Sequence, residues 1–93
     1  MHVALLELDL HIPYAQSLKD KRMAVRSIKD RLRKRFNVSI SEVDHQETWQ
    51  RAGVGVVSID PDPTYLEQQL ALALEEIEQM LPECEINHRI GFL

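Results

Sequence analysis

The sequence lacks long apolar runs and has very little cysteine. No apolar run approaches the roughly 20 residues that a membrane-spanning helix needs, so we expect no membrane partner. The N-terminal residues, MHVALLELDLHIP, contain no basic segment, and acidic residues interrupt their apolar character, which argues against a signal peptide. Cys84 is the only cysteine, which excludes an intramolecular disulfide and suits a reducing compartment. We therefore predict a cytoplasmic protein.

The sequence also lacks any catalytic motif, so we predict a non-enzymatic protein with no catalytic residue, no cofactor and no metal. Asp44 and His45 resemble half of a catalytic dyad without a matching nucleophile. Glu7, Asp9 and His11 alternate along one segment and would project together from a strand. Such a group could hold a divalent metal or move protons, but a solvated strand face is the simpler interpretation.

The composition is that of an ordinary globular protein. Of the 93 residues, 44% are hydrophobic and 28% are charged, with three glycines and four prolines, which argues against disorder. A chain of this length forms one domain, here residues 1–93, with one modest core and no large internal site.

Alternating and helical patterns predict the first two elements. Residues 2–12 alternate between apolar and polar side chains, which predicts a strand with one solvated face. Ser17 followed by Asp20 resembles a capping box, and the apolar spacing after it predicts a helix to about Lys34. Lys21 falls at the edge of this apolar stripe.

The middle of the chain predicts two strands joined by a polar turn. Alternation from Phe36 to Ile40 predicts the second strand, with a bulge or bend near Ser41–Glu42. A hairpin tip at 44–50 precedes the third strand, 52–59, whose inward face the pattern leaves open.

The third strand and the residues after it complete the pattern. Gly53 and Gly55 share a face of the third strand, which predicts that something approaches that face closely. Asp62 and Pro63 then predict the start of a strongly striped second helix, which Pro82 ends. Alternation resumes in the last ten residues, with His88 on the apolar side, and predicts a fourth strand.

The predicted order β-α-β-β-α-β indicates an α+β, ferredoxin-like sandwich. Two right-handed crossovers and one hairpin give a four-stranded antiparallel sheet with both helices on one face. The first and third strands are expected at the centre of the sheet. The fold by itself carries no function.

Four segments resemble one known family. They read LELDLHIP (6–13), SLKDKR (17–22), SIKDRLRKRFNVSISEVDHQ (27–46) and WQRAGVGVVSI (49–59). In these segments the chain resembles the YlxP-like proteins, a bacterial family of unknown function. The resemblance implies a ferredoxin-like fold. It also implies a connection with RNA or the ribosome, because the family's genes tend to lie among genes for translation initiation and ribosome maturation.

The basic residues are concentrated on the first predicted helix. Nine of the eleven lysines and arginines lie between residues 19 and 35, which carry a net charge of +7, whereas the other 76 residues carry −11. Five of them are three or four residues apart and therefore line one side of the helix: Lys19, Arg22, Arg26, Lys29 and Arg33. Lys34 lies on the outermost surface. The alternative is a solvated helix face whose charges offset acids elsewhere, including those of the second helix.

The hairpin tip is the second candidate contact surface. Trp49 is the only tryptophan and lies in a polar turn with His45, Gln46 and Arg51. Such a tryptophan could stack on a base or anchor a partner. It could instead fold back over the end of the core.

We therefore predict a small protein that binds RNA or the ribosome through its first helix, with Arg51 and Trp49 as secondary contacts. Because strands one and three contain no Phe or Tyr, RNA is not expected to bind across the sheet. The alternative is a homo-oligomeric interaction module, most simply a homodimer, which does not bind nucleic acid. Long second and third strands and the acidic remainder of the chain could receive the basic helix of another copy.

Overall fold

The computed structural model describes all 93 residues and contains the six predicted elements in the predicted order. They are β1 (His2–His11), α1 (Leu18–Arg35), β2 (Ser39–Asp44), β3 (Arg51–Asp60), α2 (Pro63–Met80) and β4 (Glu85–Phe92). All strand pairings are antiparallel and the sheet order is β2-β3-β1-β4. With β1 and β3 central, this arrangement confirms the ferredoxin-like fold.

Both helices begin at the predicted capping residues. Ser17 Oγ accepts a hydrogen bond from the backbone N–H of Asp20 at 3.0 Å, which satisfies a free donor of the first turn of α1. The Asp20 carboxylate accepts from the N–H of Gln16, one residue before the cap, so the capping box is shifted by one residue. At the start of α2, the Asp62 carboxylate accepts from Thr64 N–H at 2.9 Å.

The core lies between the two helices and one face of the sheet. The even-numbered residues of β1 point towards the helices, and the alternation that predicted the strand is matched by their burial. A cluster of 19 buried apolar residues fills this layer. The other face of the sheet carries no helix, and we call it the open face.

Pairing with β1 determines which face of β3 is buried. Val54 lies opposite Leu8 and Val56 lies opposite Leu6, and all four side chains are buried. Neighbouring residues in paired strands share a face, so Val57 points to the open face. This long-range register was absent from the local pattern of β3, which is why the sequence left the inward face undecided.

The second strand begins later than predicted. It begins at Ser39 because the chain first has to leave α1, where Phe36 donates its backbone N–H to Leu32 O at 2.9 Å. The predicted irregularity is a shift in the pairing with β3 between Glu42 and Asp44. The bulge therefore lies slightly later than Ser41–Glu42.

The close approach predicted at the two glycines of β3 is made by the chain itself. A Cβ atom added to Gly53 would lie 2.7 Å from the Cβ of Asp44, so β2 packs directly against this residue. A Cβ atom added to Gly55 would lie 3.7 Å from Cγ1 of Val43 and 4.0 Å from Cδ1 of Leu5. No external partner is needed to explain these glycines.

The fourth strand is only partly covered. His88 points to the same side as Ile86 and Ile90, as predicted, yet its side chain is exposed. The reason is that β4 is an edge strand and α2 packs mainly over β1 and β3. Neither α1 nor α2 is long and apolar enough to cross a membrane.

Candidate nucleic-acid interface

The lysine and arginine side chains divide into two groups by their ion pairing. Those that form an ion pair with a carboxylate are Lys21, Arg31, Arg35, Arg51 and Arg89. Those that form none are Lys19, Arg22, Arg26, Lys29, Arg33 and Lys34. All members of the second group lie on α1. The predicted nucleic-acid-binding residues of α1 are therefore the cations that the fold leaves unneutralised.

Four of the unpaired cations line a shallow groove along α1. Arg22, Arg26, Lys29 and Arg33 surround a volume of about 320 Å³, and Val25 is the one apolar residue in its lining. Asp30 and Glu42 complete the lining. Because Glu42 belongs to β2, the groove runs between α1 and an edge strand of the sheet. We call this surface the basic groove.

Helical spacing places the cations of the basic groove in one row. From Arg22 to Arg33 the row extends roughly 16 Å at about 1.5 Å per residue. Like charges at this spacing repel one another, and no carboxylate pairs with them. Asp30 lies four residues from both Arg26 and Lys34 along the helix but forms an ion pair with neither. The row thus carries repulsion that an anionic ligand would relieve.

Lys21 belongs to the same basic segment but has a different environment. Its side chain is 0% exposed, and its ammonium donates to three backbone carbonyls of the hairpin. The distances are 2.7 Å to His45 O, 3.2 Å to Gln46 O and 3.3 Å to Arg51 O. Lys21 therefore fastens α1 to the hairpin tip and is unavailable to a ligand.

A carboxylate compensates the buried charge of Lys21. Glu42 Oε2 lies 2.9 Å from Lys21 Nζ and is itself buried. The three ammonium N–H groups are already occupied by carbonyls, so Glu42 contributes charge compensation and Oε2 accepts no hydrogen bond. The sequence contained a sign of this burial, since Lys21 lies three residues after Leu18 and four before Val25 on the apolar stripe.

The other flank of α1 faces the second helix. Arg31 Nη1 and Arg35 Nη1 lie 2.8 and 2.9 Å from Glu76 Oε1. For these two arginines, the alternative in which the charges offset acids of α2 is correct. It does not apply to the basic groove.

The hairpin tip is held in place by backbone contacts of its predicted site residues. His45 and Gln46 present their carbonyl oxygens to Lys21, and His45 adopts a left-handed conformation with φ of 58°. Gln50 Nε2 donates to Pro13 O and Ala15 O, both at 3.1 Å. The loop is thus anchored on two sides.

Trp49 is exposed on this anchored loop. Its side chain is 54% exposed and is not among the residues packed against the core. The structure therefore does not show Trp49 folded back over the end of the core. A rigidly held, half-exposed tryptophan is typical of contact surfaces.

Arg51 is not brought together with the basic groove. It points to the open face, where its Nε and Nη2 atoms lie 3.0 and 2.8 Å from the two carboxylate oxygens of Asp9. Hydrogen bonding by Arg51 lowers the pKa of Asp9 from its ordinary value of 3.8. Arg51 and the α1 residues therefore lie on opposite sides of the sheet.

The second arginine of the open face is also paired. Arg89 Nη2 and Nε lie 2.6 and 2.9 Å from Glu7 Oε2. No group of three or more His, Cys, Asp or Glu side chains is arranged to hold a metal ion, and Glu7, Asp9 and His11 form no such group. Asp44 Oδ2 lies 3.5 Å from His45 Nε2, at the margin of the hairpin.

The single cysteine is partly buried beside Tyr14. Burial raises the pKa of the Cys84 thiol above its ordinary value of 9.0, and the Tyr14 hydroxyl opposes this rise. Burial likewise raises the pKa of Tyr14. The thiol is therefore protonated at neutral pH and a poor nucleophile.

Comparison with known families identifies the chain's relatives. Residues 3–89 match the model of the family described as "Protein of unknown function (DUF503)". The chain belongs to this family. A relative in Bacillus subtilis (strain 168), the "Uncharacterized protein YlxP", is 39% identical over 71 residues, which are 76% of each chain. The resemblance to YlxP-like proteins is therefore confirmed.

Solved structures with the same architecture share little sequence with this chain. The de novo designed protein LFR1 1, with a ferredoxin fold, has a TM-score of 0.67 at 14% identity, covering 97% of this chain and 85% of its own. A dimeric ferredoxin-like protein from an uncultured marine organism has a TM-score of 0.59 at 10% identity, covering 100% and 96%. At these identities the likeness concerns the fold alone.

Proposed function

We propose that this protein is a non-enzymatic RNA-binding protein whose basic groove docks on the phosphate backbone, in free RNA or in the ribosome. The observation that carries the proposal is the division of the cations. Every lysine and arginine outside α1 is ion-paired, whereas the row that lines the groove has no carboxylate partner. Phosphates would neutralise this row and release counterions, which drives most sequence-independent binding of nucleic acids.

The surrounding surface limits binding to this one region. The protein carries a net charge of −4, so a polyanion is attracted only where positive charge is concentrated. The arginines of the open face are neutralised by Glu7 and Asp9. The exposed Trp49 at the hairpin tip offers a secondary contact, whereas Arg51 is committed to Asp9.

Fluorescence polarisation with labelled ribosomal RNA fragments tests the proposal. The groove variant is Arg22→Gln, Arg26→Gln and Arg33→Gln in one chain, titrated against the unmodified protein over a range of salt concentrations. We expect affinity that falls steeply with salt, and a loss of at least about tenfold in the variant, because each substitution removes one phosphate contact.

A matched control removes the same charge elsewhere. The control variant carries Arg35→Gln, Arg51→Gln and Arg89→Gln, all ion-paired and outside the basic groove, and keeps the contact of Arg31 with Glu76. It should bind RNA like the unmodified protein, and circular dichroism should show that both variants are folded. An equal loss in both variants would mean that net charge, not the groove, determines binding. No binding at low salt would exclude the proposed function.

A second candidate function, self-association as a homodimer, is favoured by the apolar end of the open face. Val3, Leu5 and Val57 are half-buried there without any covering element, and Ile59 is 49% exposed. The two arginines of the same face are neutralised by Asp9 and Glu7, so a second copy could cover them without leaving isolated positive charges. The long second strand expected for this function is absent, because β2 has six residues.

Light scattering across protein concentrations tests self-association. A dimer that is lost in Ile59→Glu and retained in the groove variant would place the contact on the open face. A monomer at all concentrations would exclude this candidate and leave the RNA-binding proposal unaffected.

A further inference from the structure

We propose that the ligand of the basic groove is double-helical RNA, in preference to single-stranded RNA and to DNA. This inference rests on the proposed function and specifies its substrate class. Three observations carry it: the lack of aromatic side chains in the groove, the anchoring of the helix that carries the cation row, and the presence of an exposed, unpaired carboxylate, Asp30, among the cations.

The groove has no surface on which an unpaired base could stack. The aromatic residues of the chain are Tyr14, Phe36, Trp49, Tyr65 and Phe92, and none of them lines the groove. Proteins that bind single strands without sequence preference combine a basic channel with aromatic side chains that stack on successive bases. In this groove a single strand would gain phosphate contacts alone.

The helix that carries the cation row is anchored near both ends. Lys21 ties the first turns of α1 to the hairpin, and Arg31 and Arg35 tie its last turns to Glu76 of α2. A duplex also presents its phosphates on a rigid backbone. Contact between the duplex and the anchored helix therefore orders little additional backbone on either side. A flexible single strand would have to lose backbone entropy without stacking to offset it.

The carboxylates of the groove favour RNA over DNA. Asp30 and Glu42 lie among the cations and would repel phosphates placed directly against them. Glu42 compensates the buried charge of Lys21, whereas the exposed and unpaired Asp30 can accept a hydrogen bond from a hydroxyl donor. An RNA duplex displays 2′-hydroxyl groups beside its phosphates across a wide, shallow minor groove, and DNA has none. A carboxylate acceptor among the cations therefore favours an RNA backbone over a DNA backbone.

The test compares four labelled probes of equal length at one salt concentration: duplex RNA, duplex DNA, and a single strand of each without self-complementarity. We expect duplex RNA to bind about tenfold or more tightly than single-stranded RNA, because a duplex carries phosphate charge at twice the axial density. We expect a preference of about three- to tenfold over duplex DNA, the equivalent of one hydrogen bond.

Three outcomes distinguish failure of this inference from failure of the proposed function. Single-stranded RNA that binds as tightly as the duplex overturns the inference but supports RNA binding by the groove. No binding to either RNA probe, even at low salt, overturns both. Equal binding of RNA and DNA duplexes overturns the preference for RNA.

A variant tests the role assigned to the carboxylates. Asp30 is exposed and unpaired, so Asp30→Ala removes an acceptor without breaking a structural contact. It should raise the affinity for both duplexes through its charge, and reduce the preference for RNA over DNA to below about twofold. Glu78→Ala, with the same charge change on α2, should leave the preference unchanged. An undiminished preference in Asp30→Ala would exclude hydroxyl recognition by Asp30.

Discussion

The basic groove and the open face contain the same kinds of side chain in opposite states. On the open face, Arg51 and Arg89 each lie against a carboxylate across the strand, so their charge is cancelled locally. In the groove, Arg22 and Arg26 have no such partner. The strands bring basic and acidic residues from distant parts of the chain side by side, whereas a basic helix segment places cation beside cation.

Whether a basic side chain presents net positive charge at the surface therefore depends on whether the fold places a carboxylate beside it. Lys21 and Arg22 are neighbours in the sequence, yet the first is fully buried and the second is exposed in the groove. A count of basic residues treats them alike. The following experiments test the contrast, in order of decreasing expected effect.

The largest effect is expected from replacing Lys21, the buried residue of the pair Lys21 and Arg22. Lys21→Met removes the ammonium donor from three hairpin carbonyls and leaves the buried Glu42 Oε2 without its counter-charge. Loss of one partner of a buried ion pair costs about 3 to 5 kcal/mol in the free energy of unfolding. Arg22→Met serves as the control and should change stability by no more than about 0.5 kcal/mol. Urea denaturation measures both, and a loss below about 1 kcal/mol for Lys21→Met would contradict the role assigned to this residue.

An intermediate effect is expected when single arginines from the two surfaces are exchanged for glutamine. Arg26→Gln should weaken RNA binding about three- to tenfold and reduce the slope of log affinity against log salt by about one, because one phosphate contact is lost. Arg51→Gln should change neither quantity, since its charge is already neutralised by Asp9. Similar losses of RNA affinity in the two variants would show that the ion pair with Asp9 does not prevent Arg51 from contributing to RNA binding.

The smallest effect concerns the pH dependence of an open-face ion pair. Arg51 lowers the pKa of Asp9 below 3.8, so the ionised carboxylate stabilises the folded state above that pH. The free energy of unfolding of the unmodified protein should exceed that of Asp9→Asn at pH 7. This difference should disappear as the pH falls through the lowered pKa of Asp9. The side chain is 42% exposed, which keeps the effect small.

Urea denaturation at several pH values between neutrality and pH 3 measures this dependence. Asp30→Asn removes an unpaired carboxylate and serves as the control for net charge. A stability difference between Asp9→Asn and the unmodified protein that does not change with pH would show that the ion pair contributes nothing through the ionisation of Asp9.

The fold was predictable because its signals are local. The alternation of β1, the cap at Ser17 and the proline at the start of α2 each specify one element from a few neighbouring residues, and the structure agrees with all three. The order of those elements then leaves few possible topologies. The family was likewise evident from sequence segments alone.

The site was only partly predictable because its charges depend on contacts between distant residues. The row on α1 followed from helical spacing. The pairing of Arg51 with Asp9 and of Lys21 with the hairpin carbonyls joins residues 24 to 42 positions apart, and no local pattern indicates them. The position of Lys21 at the edge of the apolar stripe was the one local sign that separated it from the exposed cations beside it.

The anchoring of the hairpin by Lys21 also has a consequence for local unfolding. The tip cannot open alone, because opening would strip the buried ammonium of its carbonyl partners while α1 stays in place. Opening of the tip and fraying of the first turns of α1 therefore form one cooperative event. Amide hydrogens in the two segments should exchange with solvent at a common rate, although both segments lie at the surface. In this protein a single lysine makes a turn, usually the most mobile part of a hairpin, as slow to open as the helix to which it is tied.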